Sequence, residues 1–304
     1  MFDIITFGSA VVDVFVNTKA KEIKNFVCYN AGSKILIKEL RFDIGGGGTN
    51  TAVAFSRFGL KTGWISKLGN DENGKKILEM MKSEKVDFLG KISKGLTGYS
   101  IVLDSSGNDR TILTYKGIND KISISDVPLK KIKTKWLYYS SLLGKSFESQ
   151  KKLAEILSRK GTKIAFNPSS YLIKNKNINP LLKLCDILVL NREEAGMLTK
   201  DSDLLLGLHK LGPRVIVITD KDKKVECYDG KKKYSINPHK NIKVVERTGA
   251  GDAFASGFVA GRIAGWPMQK CLELGLRESE SVLGHFGAKN NLLRMNIMKK
   301  NKNG

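Results

Sequence analysis

The sequence predicts an α/β fold in which a mainly parallel sheet is covered by helices on both faces. Two observations lead there. Short apolar runs alternate with segments of helical periodicity along most of the chain. With 41% hydrophobic residues in 304, there is also enough apolar side chain for a real core. In chain order, Ile4 to Ala10 and Val11 to Val16 read as strands. Thr49 to Phe58 reads as a helix with Ala52, Val53, Phe55 and Phe58 on its apolar face. Trp64 to Ser66 is a short strand, and Glu72 to Lys82 a helix with Ile77, Leu78, Met80 and Met81 turned inward. Lys135 to Ser140 is a strand, Ser149 to Arg159 a helix, and Lys163 to Asn167, Ile187 to Leu190 and Val215 to Thr219 are strands. The C-terminal third is helical. Small residues recur at Ala253, Ser256, Gly257, Ala260 and Gly261, which suits close packing of helix on sheet.

Two regions break the alternation. Ile35 to Ile44 alternates apolar and polar residues, and Thr97 to Leu103 and Arg110 to Tyr115 read as strands joined by the turn Asp104 to Asn108. They predict a small second sheet outside the main one. Strands half exposed to solvent suit a lid over a substrate.

The most informative stretch is Glu246-Arg247-Thr248-Gly249-Ala250-Gly251-Asp252. It is expected to lie between a strand, Ile242 to Val245, and a long helix. A helix start offers unpaired N–H groups and a partial positive charge. Gly249, Ala250 and Gly251 leave no bulk to keep a phosphate from them. A carboxylate in such an anion-binding turn is electrostatically odd unless it has a task, and taking a proton from an attacking hydroxyl is one. The bland alternative is a tight turn with Asp252 as an ordinary helix-start charge.

Two further motifs bear on this. Gly45-Gly46-Gly47-Gly48-Thr49-Asn50 is costly to order, and its use is backbone approach to something, a ligand above all. Asn50 can then meet a ligand hydroxyl; the alternative is a glycine hinge. Asn191 and Glu194 follow a strand and share one helix face. That pair can anchor a hydrated Mg²⁺, although a helix N-terminal cap is the more common use of the pattern.

The formal charge is +22, from 52 Lys+Arg against 30 Asp+Glu. The lysines are spread along the chain, without the interleaved aromatics of a single-strand binder, so no specific nucleic-acid partner is expected. No run of 18 apolar residues occurs, so no membrane partner is expected. Cys28, Cys185, Cys227 and Cys271 form no Cys-x-x-Cys pair and read as reduced thiols. With no basic leader before the first strand, a cytoplasmic location is expected.

Taken together, Gly45-Gly46-x-x-x-Asn50, Asn191-x-x-Glu194 and Thr248-Gly249-Ala250-Gly251-Asp252 resemble the motifs of the ribokinase-like (PfkB-type) carbohydrate kinases in kind, order and spacing. Gly8-Ser9-Ala10-Val11-Val12-Asp13, Lys67-Leu68-Gly69-Asn70-Asp71-x-x-Gly74 and Gly287-Ala288 extend the likeness from about residue 3 to about residue 290. The resemblance implies a Rossmann-like three-layer α/β/α sandwich with a small β-sheet lid. It implies one kinase domain over 1–304, with lid strands inserted from about 11–44 and 97–116. It further implies phosphoryl transfer from Mg-bound ATP to a hydroxymethyl group of a sugar or nucleoside. Asp252 would be the catalytic base, and Gly249, Ala250 and Gly251 the anion hole. Asp13, Gly46, Gly47 and Asn50 would hold the acceptor, and Thr219 and Thr248 would join Asn191, Gly249 and Gly251 around the nucleotide. Glu194 and Asn191 would hold Mg²⁺ through water, and a homodimer would form through the lid.

Four positions depart from the pattern. Glu246-Arg247-Thr248 stands where many relatives have Asp-Thr-Thr, which bears on a potassium site found in some members. Gly47 stands where ribokinases proper often have lysine. Lysines occupy the loop Thr219 to Lys224, where glycines are frequent, and Arg277-Glu278-Ser279 stands where an asparagine is common. A free sugar is the expected acceptor, ahead of a nucleoside. A non-catalytic sugar- or nucleic-acid-binding relative is the reading from another class.

Overall fold

The computed structural model describes residues 1–20, 22–23, 26–105, 110–240 and 242–298. The chain runs β1 (Phe2–Phe7), β2 (Val11–Ala20), β3 (Glu39–Gly45), α1 (Gly47–Arg57), β4 (Thr62–Ile65), α2 (Glu72–Ser83), β5 (Asp87–Phe88), β6 (Gly98–Ser105) and β7 (Arg110–Tyr115). It continues with β8 (Thr134–Ser140), α3 (Gly144–Ser158), β9 (Lys163–Asn167), β10 (Ile187–Asn191), α4 (Arg192–Leu198), α5 (Leu204–Lys210), β11 (Val215–Thr219), β12 (Val225–Tyr228), β13 (Lys233–Ile236), α6 (Ala250–Ile263) and α7 (Met268–Leu283).

The central sheet has the order β13-β12-β11-β10-β9-β8-β1-β4-β5. Its strands are parallel from β11 to β5, and only the β12–β13 edge runs antiparallel. Side chains alternate across a strand, so each buried strand feeds two apolar layers. Leu137 and Tyr139 of β8, Leu188 and Leu190 of β10, and Ile216 and Ile218 of β11 pack with α3, α4 and α5 on one face. Trp136 and Tyr138, Ile187 and Val189, and Val215 and Val217 pack with α1, α6 and α7 on the other. Each fully buried side chain of this size stabilises the fold by about 1.5–3 kcal/mol. The expected three layers are present.

The lid is a four-stranded sheet of order β7-β6-β2-β3. Val12, Val14 and Val16 of β2 pack inward with Ala52 and Val53 of α1 and Trp64 of β4. Leu40, Phe42, Ile112, Leu113 and Tyr115 are exposed on lid strands. Asp71 caps α2 by accepting from Gly74 N at 2.8 Å, and it also accepts from Thr97 N at 2.8 Å and Thr97 Oγ1 at 2.6 Å. Its carboxylate therefore ties α2 to the segment that enters the lid.

Several expected boundaries change. The lid strand read over Ile35 to Ile44 starts only at Glu39, where pairing with Asn17 of β2 begins; Ile35 and Ile37 are exposed and pair with no strand among the described residues. Asp104 and Ser105 belong to β6 rather than to a turn, and the rest of the expected turn, 106–108, lies outside the described residues. Helix α1 begins at Gly47, so half of the glycine run is helical. Ile242 to Val245 is not a strand, because the β12–β13 hairpin already occupies that edge of the sheet. Gly257 and Gly261 of α6 seat helix on helix rather than helix on sheet. A Cβ on Gly257 would lie 2.9 Å from Gly275 Cα, and one on Gly261 3.2 Å from Cys271 Cα.

Candidate functional site

Strands β1, β8, β9, β10 and β11 are parallel, so their carboxyl ends share one edge of the sheet, where α/β folds place their ligands. Ser9, Ser140, Asn167, Asn191 and Thr219 stand at or just beyond those ends and line a cleft of about 360 Å³. Gly47, from the start of α1, and Gly249, Gly251 and Asp252, from the start of α6, line it too. The N-termini of α1 and α6 therefore both meet the cleft.

Gly249 is the N-cap of α6, with φ 80° in the left-handed region. A Cβ there would also come within 2.4 Å of Ala288 Cβ, so glycine is required by the backbone itself. Gly251 differs, because nothing lies within 4 Å of where its Cβ would be. It leaves the first turn of the helix open to an anion. Asp252, half-buried, lies in that turn and accepts from Asn50 Nδ2 at Oδ2, 2.8 Å away. Burial raises the Asp252 carboxyl above the ordinary carboxylate range, opposed by the Asn50 hydrogen bond and the charge of Lys289.

The glycine run serves the protein's own backbone more than the sequence suggested. A Cβ on Gly45 would collide with Asp13 Oδ2, one on Gly46 with Ser9 O, and one on Gly48 with the backbone of Gly8. Gly46 also has φ 98°. Only Gly47 faces the cleft, where an added Cβ would stand 2.8 Å from Ser140 Cβ and 3.4 Å from Asp252 Oδ1.

Asp13 and Asn50 are buried beside the cleft rather than at its surface. Asp13 pairs in register with Asp43 of β3 and Ser100 of β6. Burial pushes its carboxyl up to about 6, against a hydrogen bond from Ser100 and the nearby Lys289 charge. Lys289 was missed by sequence reasoning. Its ammonium is buried, donates to Asn50 Oδ1 at 2.8 Å, and also donates to the Ile44 carbonyl. Glu246 was read only as a departure; it accepts from Thr248 N at 3.0 Å and Gly287 N at 3.1 Å, fastening the loop before α6 to the turn that carries Lys289. Ser140 was also missed. Its buried hydroxyl has no partner among the described residues, and a serine at a strand end gave no signal beyond its position.

Asn191 and Glu194 form the capping box of α4. Asn191 Oδ1 accepts from Glu194 N and Glu194 Oε2 from Asn191 N, each at 2.9 Å, while Glu194 Oε1 accepts from Ser170 N at 2.9 Å. Burial raises the Glu194 carboxyl. Both residues still line the cleft. No group of three or more His, Cys, Asp or Glu able to hold a metal occurs among the described residues. With its oxygens already engaged, the pair fits a hydrated cation held through water, not a direct ligand set. Thr248 Oγ1 is buried without a partner among the described residues.

A larger cavity of about 740 Å³ adjoins the cleft, and Asn191, Thr219 and Gly251 line both. Val244, Phe254 and Leu276 give it an apolar wall, and Ile242 and Val244, read as strand, turn out to line it. Lys221 at its rim has φ 48°, the backbone region that favours glycine. Of Arg277-Glu278-Ser279, only Ser279 reaches this cavity. Glu278 is fully buried, and its Oε2 accepts from Leu293 N at 2.9 Å.

The family model described as pfkB family carbohydrate kinase matches residues 1–294. A cytidine kinase of Thermococcus kodakarensis is 29% identical over 251 residues, covering 80% of this chain and 88% of that protein. A 5-dehydro-2-deoxygluconokinase of Clostridium perfringens is 29% identical over 302 residues, covering 90% and 85%. In fold, the chain matches a ribokinase from Thermotoga maritima with a TM-score of 0.83 at 18% identity, covering 96% of each chain. No helix among the described residues is long and apolar enough to cross a membrane.

Proposed function

We propose how this chain, which belongs to the pfkB family of carbohydrate kinases, carries out its transfer: Asp252 accepts the proton of an acceptor hydroxymethyl group as that oxygen takes the terminal phosphoryl group of ATP. The observation that carries this reading is the placement of the Asp252 carboxylate in the open first turn of α6, with Oδ2 held by Asn50 and Oδ1 on the side of Gly47.

The steps follow from the lining. The base of the nucleotide enters the larger cavity against Phe254, Leu276 and Val244, and its phosphates pass Thr219 and Asn191 into the cleft. The backbone N–H groups of Gly249 and Gly251, at the start of α6, meet the charge that develops during transfer, whereas that of Ala250 is donated to the Arg247 carbonyl at 3.3 Å. Bound Mg²⁺ supplies charge neutralisation to the phosphates, with Asn191 and Glu194 holding it through water. Asp13 and Asn50 hold the acceptor's other hydroxyls. Glu246 spends its carboxylate on Thr248 and Gly287, so we assign no monovalent cation to it.

A free sugar with a vicinal diol facing Asp13 is the acceptor we favour, since a missing hydroxyl leaves a buried carboxylate with Ser100 as its hydrogen-bond donor and the rest of its acceptor capacity unmet. One observation favours a nucleoside instead. A further cavity of about 370 Å³ shares Ser9 and Lys116 with the cleft, and Ile112, Leu142 and Tyr171 give it apolar walls with room for a base. The cytidine kinase relative points the same way. Assaying ribose, fructose, cytidine, adenosine and their deoxy forms side by side with ATP decides between them. Turnover of nucleosides alone would transfer the assignment, and equal rates with and without the diol would remove Asp13 from it.

The exposed Leu40, Phe42, Leu113 and Tyr115, which share one face of the lid, are the surface we assign to a homodimer; sedimentation of wild type against Phe42→Glu checks it. The ATP requirement and the four free thiols fit a cytoplasmic enzyme.

A further inference from the structure

We propose that Lys289 is a positioning residue for the transfer: its ammonium fixes the orientation of the Asn50 amide and thereby the oxygen of Asp252 that faces the acceptor. The inference rests on the reading of Asp252 as base.

The geometry is a chain of three side chains. Lys289 Nζ donates to Asn50 Oδ1 at 2.8 Å, and Asn50 Nδ2 donates to Asp252 Oδ2 at 2.8 Å. An ammonium has three donors and no acceptor, and a carboxylate has acceptors only. The amide between them therefore has one satisfactory orientation. Reversed, its NH₂ would face the ammonium and its oxygen the carboxylate, and both contacts would repel. Lys289 is itself held by the Ile44 carbonyl at the end of β3. With Oδ2 taken by Asn50, Oδ1 is the oxygen left toward Gly47 and the cleft.

Charge acts in the same direction. The groups facing Lys289 are Asp13 on β2, Asp43 on β3, Asp252 on α6 and Arg57 on α1, whose Nη1 donates to the Lys289 carbonyl at 2.8 Å. Glu246 faces Asp13 in turn. The buried hydroxyl of Tyr138 on β8 is the other titratable neighbour of Asp252. Among three acids in a poorly hydrated site, one ammonium keeps the base ionised at a pH where burial alone would protonate it.

The test is the pH dependence of kcat/KM in Lys289→Met and Lys289→Gln, with thermal unfolding recorded for both. Each removes the charge, and Gln keeps a donor for Asn50. Both should move the acid limb upward by about one pH unit or more, with kcat at neutral pH falling about ten- to a hundred-fold and part of the loss recovered at higher pH. The smaller loss should be that of Lys289→Gln. An acid limb in the wild-type position overturns the proposal, as does a rise in acceptor KM with kcat intact, which would make Lys289 a substrate ligand. The wild type gives the same test without substitution. Burial lowers the Lys289 ammonium below the ordinary lysine value, so the wild-type kcat/KM should fall on an alkaline limb below that value. A profile with no alkaline limb up to and through the ordinary lysine range overturns the proposal even if neither variant folds. Asp252→Asn in the same assay separates the two readings. Loss of turnover there with an unmoved limb in the Lys289 variants removes only the positioning role, whereas retained turnover removes the base and the positioning role together.

Discussion

Asn50 and Asp252 lie 202 positions apart in the chain and are joined by a 2.8 Å hydrogen bond between Nδ2 and Oδ2. One comes from the first turn of α1 and the other from the first turn of α6, so the bond locks together the two helix starts that flank the cleft. Asn50→Leu keeps most of the volume and breaks the link. It should lower kcat/KM by about 10²-fold, the scale on which a lost charge-stabilising donor is felt. Steady-state rates at saturating ATP check this, and an unchanged kcat/KM would show the bond to be structural only.

Glu194→Gln should raise the Mg²⁺ concentration needed for half-maximal rate, because the water-mediated anchor loses its charge. It should also lower stability by about 1 kcal/mol, since one of the two N–H groups that Glu194 accepts would then face an amide NH₂. Rate against Mg²⁺ concentration and a melting curve measure the two effects separately. A melting change with an unshifted Mg²⁺ dependence would leave Glu194 a cap and nothing more.

Glu278 should make the fold less stable as pH rises. Burial pushes its carboxyl up to about 7 from an ordinary value of 4.5, so the folded chain holds a proton that the unfolded chain has already released. Stability from this group is therefore full below the ordinary value and is lost as pH rises toward and through about 7. The lost contribution is on the order of 3 kcal/mol. Glu278→Gln removes that dependence, so its stability relative to wild type should be greater at about pH 8 than at about pH 5. Denaturant melts at the two pH values decide it, and a difference that does not change with pH would contradict the assignment.

What the sequence disclosed and what it hid divide along a physical line. The central strands were legible because a strand buried on both faces needs a continuous apolar run, as in Val215 to Thr219. Asp252 was legible because a carboxylate next to a glycine-rich helix start is odd on local grounds. Lys289 was not, since its partner Asn50 is 239 positions away and one lysine among many carries no local mark. Ile242 to Val245 misled because an apolar run looks the same whether it pairs in a sheet or lines a cavity, and the sheet edge was already taken. Asn191 and Glu194 allowed two readings, a cap or a metal anchor. The structure makes them a capping box at the mouth of the cleft, so the one pattern serves the fold directly and leaves the metal role to be tested in solution.

The most direct measurement is the turnover of Asp252→Asn with the best acceptor, read beside ATP binding by calorimetry. The substitution is nearly isosteric and removes the proton acceptor. Turnover should fall by about 10²–10⁴-fold, with ATP affinity close to wild type and the fold intact by melting. Near-wild-type turnover in a folded, ATP-binding Asp252→Asn would contradict the assignment of Asp252 as the base.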